Sequence, residues 1–325
     1  MDCRRISRGS EAALKTIEEI AQGKGTVSTW RSVALLSILF VGAYFVLRAL
    51  PDAQCGFLHY EEVVNAEGVI ELCATNHAGF LDLTRLKYPV EMEIESRSVS
   101  AESATFEVVL ELQTSGGMTI APHELAVTHT KKMHVMVIDS SLEDYHHVHP
   151  TPDGLNGRYI FKFTPQKAGD YRVFTEIVPL RSRRQAIATG VIELDGAPAQ
   201  PDFSRRTVSM VEGVHFELGN VPERLRKGRD YRLDLKVTAV NGAAVELEEI
   251  MGAQGHMVAF DAAGKGFAHM HPVDSVVSAR AGLSGGESRE LAFLFNVPNP
   301  GWYRLFAQVR IDGREVFGRF DLRVE

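Results

Sequence analysis

Two kinds of hydrophobic pattern divide the chain. From Ser32 to Leu50 it reads SVALLSILFVGAYFVLRAL, nineteen residues interrupted only by small polar Ser and by Arg48 near one end. At ~1.5 Å per residue such a helix nearly matches a hydrocarbon core of about 30 Å, and Arg48 can extend its head group to the interface. From Tyr88 onward the pattern changes to short runs rich in β-branched and aromatic residues, several alternating with period two: VEMEIES, ATFEVVLEL, HVMVID, RYIFKF, DYRVFTEIV and ATGVIEL. A second series follows in VHFELG, YRLDLKVTAV, HMVAF, LAFLFNV, WYRLFAQVR and GRFDLRV. Gly and Pro punctuate the runs at Gly116-Gly117, Pro150, Pro152-Asp153-Gly154 and Pro165 to Gly169, as antiparallel sandwiches require at their corners.

The two series match each other. Phe161-Lys162-Phe163-Thr164-Pro165 followed by Gly169-Asp170-Tyr171-Arg172-Val173-Phe174 corresponds to Phe293 to Pro298 followed by Gly301-Trp302-Tyr303-Arg304-Leu305-Phe306. A longer loop near Val273 to Glu290 absorbs the offset. The pattern predicts an all-β fold: two tandem immunoglobulin-like antiparallel β-sandwiches after a single N-terminal transmembrane helix. The expected boundaries are a cytoplasmic segment over 1–31 with a short amphipathic helix at 11–22, the span at 32–50, a connector at 51–87, the first sandwich at 88–197 and the second at 203–325. The connector is expected to form a hairpin capping the first sandwich. The Tyr171-Arg172 and Tyr303-Arg304 pairs are read as strand core and surface.

The flank before the span carries Arg4, Arg5, Arg8, Lys15, Lys24 and Arg31 against Asp2, Glu11, Glu18 and Glu19. The positive-inside rule then keeps the N-terminus in the cytoplasm and exports the rest, which predicts a single-pass protein of a bacterial cytoplasmic membrane with its bulk in the periplasm. A cleaved signal peptide fits less well, because about thirty residues precede the apolar run and no small-x-small site follows it closely. Of the three cysteines, Cys55 and Cys73 fall on the exported side, where either a bridge or two unrelated thiols is compatible with the spacing. At 325 residues and 45% hydrophobic content there is enough chain for two cored domains, and a net charge of −7 argues against nucleic acid as a partner.

The candidate chemistry lies in a histidine pattern that occurs twice. His134, His147 and His149 sit in Met133-His134-Val135-Met136-Val137-Ile138-Asp139 and His147-Val148-His149-Pro150; His256, His269 and His271 recur in Gly255-His256-Met257-Val258-Ala259-Phe260-Asp261 and His269-Met270-His271-Pro272. The intervals are thirteen and fifteen residues in both copies, and the same register pairs His129 with Met251. Residues i and i+2 of a strand project from one face, and a hairpin of that length returns the second strand beside the first. Each triplet is therefore expected to converge on one ion, with His129 or Met251 as a fourth ligand. Asp139 and Asp261, at matching positions, are expected to mark the hairpin turns. Neutral imidazoles, the nearby Met133, Met136, Met257 and Met270, few cysteines and no evident carboxylate cluster favour copper first and zinc second. Binding is expected to weaken below about pH 6 as imidazoles protonate. His59, His77, His123, His146 and His215 lack a counterpart in the other repeat.

The run from His129 to Asp139, then Leu142, His147-Val148-His149-Pro150, Pro165, Gly169 and Tyr171-Arg172, resembles bacterial envelope proteins with repeated HxHP-containing, immunoglobulin-like domains. The second copy, from Met251 to Val258 and then His269 to Pro272, resembles the glycine-histidine variant of that pattern. More distantly, residues 88–325 are similar to YtkA-like and CopC-like β-sandwich domains, a resemblance that implies copper handling outside the cytoplasmic membrane. CopC-like proteins also bind copper through an N-terminal histidine, whereas here the N-terminus is expected to lie across the membrane, so any site would be this chain's own.

The reading is thus a membrane-anchored, extracytoplasmic metal-binding protein that buffers, senses or delivers copper, with a metal ion and an envelope or membrane protein as partners. The alternative is a structural or protein-interaction module whose histidines are structural. Catalysis is not expected, since the chain shows no nucleophile elbow, HExxH motif or phosphate-binding glycine loop.

Overall fold

The computed structural model describes residues 27–49, 60–64, 70–74, 79–100, 104–273 and 290–325. The amphipathic segment at 11–22, Cys55 with any bridge to Cys73, and most of the long loop before Glu290 lie outside them. Helix α1 (Val27–Ala49) forms on the long apolar run and is long and apolar enough to cross a membrane over Trp30–Ala49, with mean hydropathy 2.0. Its last turn ends on Arg48, whose guanidinium donates to the Tyr44 hydroxyl one turn back (2.8 Å).

The connector contains an antiparallel hairpin of β1 (Tyr60–Val64) and β2 (Ile70–Ala74), followed by the short β3 (Leu81–Asp82). The first sandwich follows with β4 (Val90–Ser100), β5 (Thr105–Thr114), β6 (Met133–Asp139), β7 (Tyr145–Val148), β8 (Thr151–Pro152), β9 (Arg158–Phe163), β10 (Tyr171–Ile177) and β11 (Ala186–Ile192). Its sheets have strand orders β4-β5-β9-β8 and β11-β10-β6-β7. This is the immunoglobulin arrangement, with strands A, B, E and D in one layer and G, F, C and C′ in the other. The second copy comprises β12 (Val208–Val211), β13 (Val214–Gly219), β14 (Tyr231–Ala239), β15 (His256–Asp261), β16 (Gly266–Met270), β17 (Glu290–Phe295), β18 (Gly301–Ile311) and β19 (Arg314–Val324), in sheets ordered β12-β13-β14-β17 and β19-β18-β15-β16-β3.

The last of these strands was not anticipated from the sequence. The end of the connector joins the second sandwich through β3, pairing Leu81 with Phe267 and Asp82 with Gly266. A Cβ on Gly266 would meet the Leu81 carbonyl oxygen at 2.3 Å, so glycine is what admits the added strand.

Each sandwich buries the inward face of its alternating strands. Val108, Leu110, Leu112, Val135, Val137, Tyr159, Phe161 and Val173 fill the first core; Phe216, Leu233, Leu235, Phe293, Phe295, Leu305, Phe320 and Leu322 fill the second. A third core lies between the sandwiches. In β6 and β16 every residue is buried, because one side chain set faces its own sandwich and the next faces the other. Met136, Ile138, Leu142, Tyr145 and Phe174 of the first copy pack there with Val258, Phe260, Phe267 and Phe306 of the second. Tyr145 stacks on Phe306 with ring centroids 4.9 Å apart.

Equivalent arginines strap this interface in both directions. The Arg172 guanidinium donates to the Ala263 carbonyl of the other copy. Arg304, its counterpart, donates to the Ser141 and Leu142 carbonyls (3.0 and 3.2 Å) and to the carboxylate of Asp321 (2.7 and 2.9 Å). The sequence reading placed these arginines at the surface, but Arg304 is fully buried. The residue after a core tyrosine points away from its own sandwich, and in this molecule that direction is the neighbouring domain.

Candidate metal centre

The predicted hairpins form. Strands β6 and β7 pair with Met136 opposite His147 and Val135 opposite Val148, which carries His134 opposite His149; β15 and β16 pair with Val258 opposite His269 and Met257 opposite Met270, which carries His256 opposite His271. The aspartates close both turns. Asp139 accepts from the backbone amides of Ser141, Glu143 and Asp144, and Asp261 Oδ1 accepts from those of Lys265 and Gly266 (2.7 and 2.8 Å).

On each hairpin the three histidines converge. In His134, His147 and His149, and again in His256, His269 and His271, one nitrogen of every ring lies within 4.8 Å of the other two. In the first triad His134 Nδ1 is 3.4 Å from His147 Nε2 and 3.3 Å from His149 Nε2. The opposite nitrogens fix the tautomers. His134 Nε2 donates to the Thr128 carbonyl (2.9 Å), so Nδ1 carries the lone pair. Gln308 Nε2 donates to Glu315 (2.8 Å), which turns Gln308 Oε1 toward His147; His147 Nδ1 donates to it (2.8 Å) and its Nε2 carries the lone pair. Two lone pairs therefore face each other across 3.4 Å, which is repulsive unless a cation sits between them. A tetrahedral ion with metal–nitrogen bonds of ~2.05 Å has its nitrogens about 3.3 Å apart.

The second triad is left without partners. His256 Nδ1 and Nε2, His269 Nε2 and His271 Nε2 are buried with no hydrogen-bond partner among the described residues. His269 Nδ1 donates to the buried Glu176 carboxylate (3.2 Å), whose other oxygen accepts from Gln185 Nε2 (2.7 Å). This arrangement fixes the His269 tautomer and leaves its Nε2 as a ligand atom.

The triads are not two remote sites. His147 and His269 have ring centroids 5.2 Å apart and His134 and His269 5.5 Å, as close as neighbours within a triad. His134, His147, His256 and His269 are buried, while His129, His149 and His271 are half-buried. His129 stacks on His271 (3.8 Å between centroids) and stands 6.1 Å from His134, so the expected fourth ligand of its own triad lies closer to the other copy's. Met251 holds the equivalent backbone position: both residues are left-handed, with φ of 50° and 51°.

The methionines correct a second expectation. Met133 points into the first core and Met257 and Met270 into the second, because strand alternation sends them to the face opposite the histidines. Only Met136 among these four shares the face of the imidazoles.

Burial, followed by repulsion from His269, holds His134, His147 and His256 well below the ordinary histidine range. Burial does the same to His271, with His129 the foremost electrostatic neighbour. Burial and nearby positive charge lower His129 and His149 to about 4. Desolvation opposes the Glu176 carboxylate, but the hydrogen bond and charge of His269, with Gln185, outweigh it and keep the group below its usual value. His129, His134, His147, His149, His256 and His271 are thus neutral, the form that binds metal, well into the acid range.

Glu176 and Gln308 escaped the sequence reading. They occupy equivalent places, five residues after Tyr171 and Tyr303, opposite His134 and His256 in the adjoining strand. A carboxylate and an amide at one register of two equivalent strands, each opposite a repeated histidine, was the available signal.

A search of curated proteins found no match. Among solved structures the chain is similar to a chimeric titin Z1Z2 functionalised with a KLER exogenous peptide from decorin, at 14% identity over 74% of this chain and 99% of that one, with a TM-score of 0.18. It is similar also to titin domains Z1Z2 in complex with telethonin, at 14% identity over 77% and 98%, with a TM-score of 0.17. One family model matches twice, over residues 87–191 and 209–325, one segment on each sandwich and together more than half of the sequence. The chain therefore belongs to the family defined by the domain of unknown function DUF8832.

Proposed function

We propose that this protein is a membrane-anchored, extracytoplasmic metal-binding protein, which buffers, senses or delivers copper through its paired three-histidine sites. One observation carries the reading: the lone pairs of His134 Nδ1 and His147 Nε2 face each other at 3.4 Å, close to the edge length of a tetrahedral nitrogen site. Copper is the first choice because a neutral, all-imidazole donor set ranks it highest among first-row ions, and zinc is the second. The resemblance to YtkA-like and CopC-like domains supports the same choice. Met133, Met257 and Met270, turned into the cores, add no support for Cu(I). We read the chain as a binding protein rather than an enzyme. Helix α1 would tether the centre near a membrane partner and raise its effective concentration there.

The test is elemental analysis of the full chain purified in detergent, loaded with copper or zinc and freed of excess ion. Retained metal that falls in both His134→Ala and His256→Ala supports the proposal. Stoichiometry unchanged in both variants would discard it, and the histidines would then be structural elements of an interaction module.

A further inference from the structure

Resting on that metal-binding reading, we propose that the two triads form a single two-ion centre shared by both sandwiches, in which the ion held by His256, His269 and His271 binds more tightly than the one held by His134, His147 and His149. Three observations support this centre.

The first is proximity. Ring centroids of His147 and His269 are 5.2 Å apart across the domain interface, against 4.7 to 5.6 Å within the second triad. Two ions seated in the triads would share one chamber and interact magnetically and electrostatically.

The second is reciprocity. Each triad is oriented by a residue from the other sandwich: Gln308 of the second copy holds His147 of the first, and Glu176 of the first copy holds His269 of the second. Neither half is complete alone. Each ring of the second triad, packed beside the first, keeps a buried nitrogen with no hydrogen-bond partner among the described residues, and one such nitrogen per ring is the ligand atom it offers.

The third is a broken symmetry. The two supporting residues occupy equivalent positions, yet one is a carboxylate and the other an amide. A carboxylate accepting the Nδ1 proton makes the opposite nitrogen of that imidazole a stronger electron donor than a neutral amide does, and removing such a partner typically lowers metal affinity 10- to 100-fold. It also places the chamber's buried negative charge beside the second triad. Charge then limits the occupants. Two divalent ions repel with a charge product of four against one for a monovalent pair. With Glu176 as counter-charge, the centre suits two Cu(I) ions, or two divalent ions together with a small bridging anion such as hydroxide or chloride.

The test is titration of the detergent-solubilised full chain with Cu(II), followed by elemental analysis and electron paramagnetic resonance. The expected result is two ions per chain, the first at least ten-fold tighter. The signal should be that of an isolated Cu(II) at one equivalent and should be broadened, or fall below two spins, at two equivalents. Glu176→Gln should weaken the tighter site 10- to 100-fold and the weaker one less, whereas Gln308→Glu should tighten the weaker. Chelator-treated melting curves of both variants identify any that fail to fold, and either variant suffices. Two ions with full-intensity, uncoupled signals would overturn the shared centre, and equal weakening of both sites by Glu176→Gln would overturn the ranking. Absence of any bound copper would instead defeat the metal-binding reading on which both depend.

Discussion

Replacing His256 with leucine separates a ligand from a structural histidine, because the two roles predict opposite changes in stability. The His256 ring is 1% exposed, and neither nitrogen has a hydrogen-bond partner among the described residues. A buried polar group left unsatisfied costs about 1–3 kcal/mol. Two such atoms give ~2–6 kcal/mol in principle, which loss of packing against His271 (4.8 Å) and His269 (5.6 Å) offsets in part. We expect His256→Leu to stabilise the metal-free protein by about 1–2 kcal/mol, a rise of roughly 2–8 °C in Tm at the ~2–4 °C per kcal/mol typical of this size. In copper the order should reverse. A ligand at a hundred times its Kd stabilises the form that binds it by about 2.7 kcal/mol, and the variant forfeits this at one triad. The assay is a pair of thermal melts, one with chelator and one with copper, on the detergent-solubilised chain. A variant more than about 1 kcal/mol less stable than wild type in chelator would refute the reasoning and make the ring a structural element.

Four further outcomes can be measured. Arg304→Met strands Asp321 as a buried, unpaired charge and should destabilise the protein by ~3–5 kcal/mol, while Arg304→Met combined with Asp321→Leu should recover most of that loss in urea titration. Because His134, His147 and His256 titrate below 6.5 when folded, the unfolded chain takes up protons first; metal-free stability should therefore be full above about pH 6.5 and decline toward pH 4, by at most ~1.4 kcal/mol per pH unit for each of these rings. The same depression should move copper release from near pH 6 to nearer the value of about 4 set by His129 and His149, as read by dialysis at stepped pH. An alkaline phosphatase fused after Glu325 should be active in a bacterial host if α1 exports the chain, and an inactive fusion would reverse the proposed topology.

The triads were legible because one spacing occurs twice, and a hairpin turns a sequence interval directly into an adjacency. The aspartate turns followed for the same reason. Pairing of the two hairpins was not legible, since it depends on which faces the sandwiches bury against each other. A trace of it stood in the sequence: Met133-His134-Val135-Met136-Val137-Ile138 and Gly266-Phe267-Ala268-His269-Met270 do not alternate with polar residues, as a strand with one wet face would. Read strictly, those runs also separate the methionines from the histidines, because Met133 and His134 cannot share a face. Glu176 escaped for a different reason: the meaning of a lone acid in a buried strand depends on a partner ninety-three residues away.

Duplication explains why the centre forms at the domain interface. A single sandwich carrying one hairpin triad would present three imidazoles on an open sheet face, where water competes for every nitrogen. Two copies docked through that same face use Met136, Ile138, Phe174, Val258, Phe260 and Phe306 to exclude solvent, and they bury both triads together. The reciprocal contacts follow from the same docking: Arg172 and Arg304 reach across in opposite directions, as do Glu176 and Gln308. Once each copy supports the other's ligands, the equivalent positions are free to diverge, and a carboxylate on one side against an amide on the other makes two identical triads unequal. A pair of unequal sites in one chamber can hold a first ion firmly and a second one loosely, which is what a protein that both retains and hands on a metal requires.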